Sequence, residues 1–411
     1  MTKTAFLFPG QGSQYVGMGK KLRDQFTTAR HLFEEANDTL GFDLAKLCFE
    51  GSPLELMQTM NTQPAIMAVS VVAFEIGRRE LGWEPYLLAG HSLGEYSALV
   101  CSGVISFSDG LRIVRKRGML MQAAVSSGLG AMAAVIRASR EELELLCRQV
   151  STETKQVVVA CCNSRYQHVI AGHQEAVRTV VERLETVPGV SVKYLNVSAP
   201  FHSPLMQSAA DQLIIELEQY KTQDGKWPIV SNVTARPYQR QELNGLLYRQ
   251  MTHPVRWLET MEYMYRNGVD RTVEIGPRQV LTQLMNESYP TIETHHFDNP
   301  LEIEHLSSVF SAENNRTAII TSLQGALTAA IIARSRNEDA DQHMKGVISP
   351  IHQVRKLIEQ IDRDRGLNMS QAIQQINEQL QLILTTKRLS LDEQIRITRK
   401  IPSSCTEAAV N

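Results

Sequence analysis

The chain is poor in aromatic residues, at 6% of 411, and none of its three tryptophans lies beyond Trp257. It has no excess of either charge, with 42 Lys and Arg against 44 Asp and Glu. A near-neutral protein does not grip nucleic acid by bulk charge, so that class of partner is excluded on composition. It also lacks a long apolar run. The longest stretches, near residues 65–76 and 326–333, fall short of the ~18–20 residues that cross a bilayer. The first twelve residues have neither the charged nor the long apolar region of a secretion signal. Cysteine is scarce: Cys48, Cys101, Cys147, Cys161, Cys162 and Cys405 form no CxxC pair and have no histidine at zinc spacing. A disulfide scaffold and a zinc ribbon are excluded, no metal site is expected, and a cytoplasmic location fits best.

What is present is an α/β rhythm. Thr4–Phe8 is a short apolar run stopped by Pro9-Gly10, which reads as a buried strand. Helical patterns follow over residues 21–39 and 64–81, then a strand over 86–89, then helical texture over 95–102. Strand, glycine turn and helix in that order predict an α/β domain with a parallel sheet. Residues 126–130, Ser-Ser-Gly-Leu-Gly, read as a hinge. After it, strands over 131–136, 156–161, 168–171 and 190–197 alternate with helices over 140–150 and 174–186. That β-α-β-β-α-β order is ferredoxin-like. Strands over 229–233 and 272–275 return to the first texture. From about residue 300 the chain turns all-helical, with apolar stripes over 317–334, 351–361 and 369–383, a polar linker over 334–344, and a capping box at Ser390–Glu393. The expected organisation is a large subdomain from 1–125 and 205–299, a small one over 126–204, and a helical extension over 300–411. The stripes of that extension must be buried on the core, on one another or on a partner.

Gly90-His91-Ser92-Leu93-Gly94 stands between a predicted strand and helix. A Gly-x-Ser-x-Gly turn projects its serine from the sheet and leaves the next N–H at a helix start, where an oxyanion can be held. A serine needs a base, and His202 is the best candidate, on a loop stiffened by Pro200 and Pro204. Ser203 followed by Pro204 reads as a helix N-cap, whose positive end keeps the imidazole neutral. Gly10-Gln11-Gly12 follows the first strand and brings backbone close to a bound group. It is not a phosphate loop, because no Gly-Lys-Ser/Thr follows. Arg117 borders the apolar face made by Leu111, Val114, Gly118 and Met121, and an arginine aimed into a cleft binds a carboxylate with a two-pronged fork. Asp270 with His295 is the one loose alternative for a triad acid and late histidine.

Together these residues resemble the malonyl-CoA:acyl-carrier-protein transacylase family. The matches run in order: Phe8-Pro9-Gly10-Gln11-Gly12-Ser13-Gln14, Gln63-Pro64, Gly90-His91-Ser92-Leu93-Gly94-Glu95, Arg117-Gly118, Asn163-Ser164, Phe201-His202-Ser203, Asn232-Val233, Pro254-Val255-Arg256-Trp257 and Glu274-Ile275-Gly276-Pro277. The resemblance implies an α/β-hydrolase-like large subdomain carrying the ferredoxin-like insertion. It implies Ser92 as the acylated nucleophile, His202 as base and acid, Gln11 and Leu93 as oxyanion-hole donors, and Arg117 as the binder of the malonyl carboxylate. Phe201 fits the malonyl-selecting pattern, and Gln250 lies where a main-chain carbonyl orients the histidine. The implied partners are malonyl-CoA and an acyl carrier protein or carrier domain, in fatty-acid synthesis or beside a polyketide synthase. No membrane, nucleic acid or resident cofactor is expected, since the phosphopantetheine belongs to the carrier. Acyl hydrolysis and a related 2-substituted malonyl unit are the alternatives. Arg165 and Arg278 depart from the family pattern, which normally has proline and a small residue there.

Overall fold

The computed structural model describes residues 2–124, 129–197, 199–337, 339–364 and 366–401. They fall into two compact units, Thr2–Leu306 and the residues from Ser307 onward.

In the first unit every residue of β1 (Thr4–Phe8) is buried. The strand pairs in parallel with β2 (Leu87–Gly90) on one side and β8 (Arg271–Ile275) on the other. A central parallel strand is covered on both faces, which is why it reads as an unbroken apolar run. The five-stranded order is β7-β2-β1-β8-β9. The edge strand β7 (Ile229–Val230) is shorter than the expected 229–233, because Asn232 turns inward: its N–H donates to Glu95 and its Nδ2 to the Gly90 carbonyl. The other edge strand, β9 (Glu293–Phe297), has no counterpart in the sequence reading. Its Glu-Thr-His-His run is only half-buried, so it carries no apolar signal.

The predicted helix over 21–39 is two helices, Lys20–Gln25 and Thr27–Leu40, broken where Phe26 is extended. The predicted start at Pro64 is also corrected. The helix Thr59–Glu75 begins five residues earlier and is almost entirely buried. Pro64 cannot donate to the carbonyl of Met60. Arg115 donates to that carbonyl instead, at 2.8 Å, from the neighbouring helix Phe107–Ala123. Those two helices touch at Gly118, where a Cβ would lie 2.7 Å from Met60 Cα. The close approach carries Arg117 inward.

The second sheet of this unit is antiparallel, with β3 (Gly130–Ile136), β4 (Val157–Cys162), β5 (Gln167–His173) and β6 (Ser191–Tyr194) in the order β4-β5-β3-β6. This is the ferredoxin-like arrangement. Helices Arg140–Val150 and Gln174–Leu184 cover it over a core of Val135, Leu143, Val159, Ile170, Val177 and Val180. Of the expected hinge, Ser126, Ser127 and Gly128 lie outside the described residues.

In the second unit the helices pack on one another. Val354 and Ile358 of Ser349–Arg363, Ile373, Ile376, Leu380 and Ile383 of Met369–Thr386, and Ile397 of Leu391–Thr398 share one core with Leu323, Leu327 and Ala330. The last three belong to the long helix Ile303–Ile332, which begins fourteen residues before the expected 317. Lys387 closes its end by donating from Nζ to the carbonyls of Ala330, Ile331 and Ala333, each at 2.8 Å. A cation there also complements the negative helix end. The expected capping box at Ser390 and Glu393 is present. Cutting the chain at Ser335 would therefore strip Leu323, Leu327 and Ala330 of their partners. Cutting after Leu306 separates the units without dividing that core. The shorter protein is expected to melt cooperatively and to take up a malonyl group at the rate of the full chain. Loss of acylation in a folded Thr2–Leu306 protein would place part of the chemistry in the second unit.

Candidate active site

The elbow is enforced by sterics. A Cβ on Gly90 would lie 1.9 Å from the Gly94 carbonyl carbon, and one on Gly94 2.0 Å from the Phe8 oxygen. No other residue fits either position. Between them Ser92 takes φ 52° and ψ −101°, a strained backbone for a side chain that must stand clear of the sheet. Asn232 holds the strained residue: its Oδ1 accepts from Ser92 N at 2.7 Å. The helix Leu93–Cys101 starts at once, so the Leu93 N–H is the first of its unpaired donors. Gly10 lies against the elbow, where a Cβ would meet the His91 oxygen at 2.5 Å. Gln11 is pinned beside it through Nε2 to Thr59 Oγ1.

His202 is 2.8 Å from Ser92 Oγ through Nε2, and its Nδ1 is 2.7 Å from the carbonyl oxygen of Gln250. A carbonyl only accepts, so Nδ1 carries the hydrogen and Nε2 is left as the acceptor for the serine O–H. The histidine is buried, with φ 57°. Its pKa is lowered to about 3, first by burial and then by the charge of Arg117. Ser203 is the N-cap position and Pro204 the first position of a 3₁₀ turn, Pro204–Met206, that runs on into the helix Gln207–Leu217, as expected. The Ser203 side chain does not cap it: its Oγ donates to the Pro200 carbonyl.

Arg117 is 1% exposed, not at a border. Nη1 donates to Gln63 Oε1 at 2.9 Å, and Nη2 to Gln250 Oε1 at 2.9 Å and to Ser92 Oγ at 3.2 Å. The guanidinium also packs on Tyr96, 5.1 Å from the ring centre. Its hydrogen-bond partners among the described residues are neutral, and a buried cation that lines an open space without a paired carboxylate calls for an anion. That space is a cavity of about 330 Å³. Gln11, Ser92, Leu93, Arg117, Phe201 and His202 line it, together with Met132, Asn163, Gln167, Val169 and Leu195 on the strands and strand ends of the antiparallel sheet.

Every site residue expected from the sequence reaches this cavity except Gln250, which stands behind His202 and Arg117. The alternative pair does not form: Asp270 accepts from the N–H of Lys3, and His295 pairs with Glu293. Arg165 and Arg278 are both exposed, and Arg278 lies over the Tyr15 ring, 5.8 Å from its centre. The sequence reading assigned no role to Gln63, Glu95, Asn163 or Asn232. All four lay in the quoted motifs, which was the only signal available. Asn163 Oδ1 is 2.8 Å from His91 Nε2, tying the small sheet to the elbow. Glu95 is fully buried, and burial raises its carboxyl to about 7 against the pull of Tyr238, Asn232, Gln250 and Arg117. Among the described residues there is no group of three or more His, Cys, Asp or Glu placed to hold a metal, and no helix long and apolar enough to cross a membrane.

A buried neutral base on a strained serine, beside helix-start N–H groups and a cation, can carry out acyl transfer through a covalent serine ester. The acyl transferase domain model matches residues 5–347. A malonyl CoA-acyl carrier protein transacylase of Bacillus subtilis is 43% identical over 403 residues, covering 97% of this chain and all of the relative. A second protein of that description, from Bacillus subtilis strain 168, is 40% identical but covers only 77% of this chain and 99% of its own. The first relative therefore spans the helical second unit as well. Among solved structures, a malonyl-transacylase in complex with its type II PKS acyl-carrier protein is 39% identical, with a TM-score of 0.72. It covers 76% of this chain and 100% of that one.

Proposed function

The chain belongs to the acyl transferase family, and from that premise we propose which residues run its reaction. It transfers a malonyl group from malonyl-CoA to an acyl carrier protein, for fatty-acid or polyketide synthesis. In our reading Ser92 Oγ gives its proton to His202 Nε2 and attacks the thioester carbonyl. The N–H groups of Gln11 and Leu93 hold the resulting oxyanion. His202 then protonates the departing CoA thiolate, leaving a malonyl-serine ester. The carrier's phosphopantetheine thiol enters, yields its proton to His202 and takes the acyl group. The Gln250 carbonyl replaces the triad acid in orienting the ring. Arg117 binds the free carboxylate, and Phe201 narrows the cavity beside it. No step calls for a resident cofactor, and the buried free thiols of the chain fit a reducing cytoplasm.

The observation that carries this reading is the 2.8 Å Ser92–His202 contact beside a buried arginine that reaches the serine hydroxyl at 3.2 Å. It is tested by mixing enzyme with malonyl-CoA in the absence of any acceptor thiol. One equivalent of free CoA per active site is expected in a rapid phase. CoA that appears only after carrier is added would replace the two-step transfer by a direct one.

A further inference from the structure

Glu95 sits one helical turn after Ser92, fully buried, and touches neither the cavity nor the serine hydroxyl. Its carboxylate collects three donors. Oε1 accepts from the N–H of Asn232 at 3.0 Å and from the Tyr238 hydroxyl, and Oε2 accepts from Nε2 of Gln250. The same Gln250 Nε2 donates to the Ser92 carbonyl at 2.9 Å, while Gln250 Oε1 accepts from Arg117. Gln250 thus does two separable things. Its main-chain carbonyl holds His202, and its side-chain amide holds Arg117.

An amide can be turned end for end, and only its neighbours decide which end faces where. A carboxylate accepts and cannot donate. Facing Gln250, it fixes the NH2 toward itself and so presents the oxygen to the guanidinium. The reverse orientation would set oxygen against carboxylate and NH2 against Nη2, two buried mismatches at once. We propose that Glu95 is a positioning residue for malonyl recognition, setting the orientation of the Gln250 amide and through it the pose of Arg117. The proposal rests on the reading of Arg117 as the malonyl-carboxylate ligand.

Glu95→Gln is nearly isosteric and tests this. With its oxygen kept on Asn232 and Tyr238, the new amide turns an NH2 toward Gln250. Gln250 must then flip, withdrawing the acceptor from Arg117 while its main-chain carbonyl stays on His202. Rates of enzyme acylation from malonyl-CoA and acetyl-CoA are compared at pH 8, where Glu95 is ionised in the parent. The malonyl-to-acetyl ratio is expected to fall about tenfold in Glu95→Gln. Gln250→Met, which removes the amide but not the carbonyl, is expected to lower the ratio similarly. Arg117→Ala measured alongside separates the two readings. If it loses the preference for malonyl while Glu95→Gln and Gln250→Met keep it, the role given to Glu95 is wrong. If Arg117→Ala itself keeps the preference, the carboxylate-binding premise fails first. An equal fall of both substrates in Glu95→Gln and Gln250→Met also overturns the proposal, since a general loosening of the site would do the same. Should Glu95→Gln fail to fold, the Gln250→Met ratio decides alone.

Discussion

Replacing Ser92 with alanine is expected to lower malonyl transfer to the carrier by roughly 10⁴-fold or more, a scale set by removing the nucleophile from other serine-based sites. The loss should appear in kcat. The cavity, Arg117 and the oxyanion-hole N–H groups stay in place, so malonyl-CoA should still bind. The backbone strain at Ser92 is held by Gly90, Gly94 and Asn232 rather than by the hydroxyl. Folding should therefore be little affected, and thermal melting of the variant checks that. A variant that folds and still transfers at the parent rate would show that another residue carries the acyl group.

Arg117→Ala is expected to have the next largest effect, and on a different quantity. A malonyl carboxylate entering this cavity leaves water, and only a charged partner offsets that cost. Losing one member of such a buried pair costs about 2–5 kcal/mol. Malonyl acylation should fall by that amount while acetyl-CoA, which has no carboxylate to satisfy, gains relative to it. The check is kcat/KM for both substrates. Removal of the cation also lifts one of the forces that depress His202, the second after burial. The histidine should therefore remain largely neutral at assay pH, and any loss common to both substrates should be small. An equal fall of both would make Arg117 a scaffold residue.

The parts of this structure that were legible in the sequence are those enforced by sterics or by periodicity. The two glycines around Ser92 are required by contacts of 1.9 and 2.0 Å, so the motif announces the turn. The stripes over 351–361 and 369–383 are the buried faces of two helices. Where the signal was absent, the reason is physical. The strand β9 carries histidines and a glutamate on an edge, and its pairing is made by main-chain groups that leave no side-chain pattern. The long helix begins at Ile303, and its first turns carry only a short stripe, Ile303, Leu306 and Phe310, ahead of the denser apolar run from 317. Gln250 acts on His202 through a carbonyl that every residue has, so its place came from resemblance and not from its chemistry. Arg117 read as bordering because spacing gives only its angle around the helix. Gly118 brings the neighbouring helix close enough to bury it. The Glu95–Gln250–Arg117 chain joins residues far apart in sequence, and spacing along one chain cannot reveal it.

The central claim is that the malonyl group rests on Ser92 between its two carriers, and the mass of the intact enzyme tests it most directly. After brief exposure to malonyl-CoA without acceptor, the parent protein should gain the mass of one malonyl group. Proteolysis should place that group on the peptide containing Gly90-His91-Ser92-Leu93-Gly94, and holo carrier protein should remove it. Ser92→Ala should show no gain. A malonyl adduct on Ser92→Ala at the parent's rate, or one mapped to any other residue of the parent, would contradict the account.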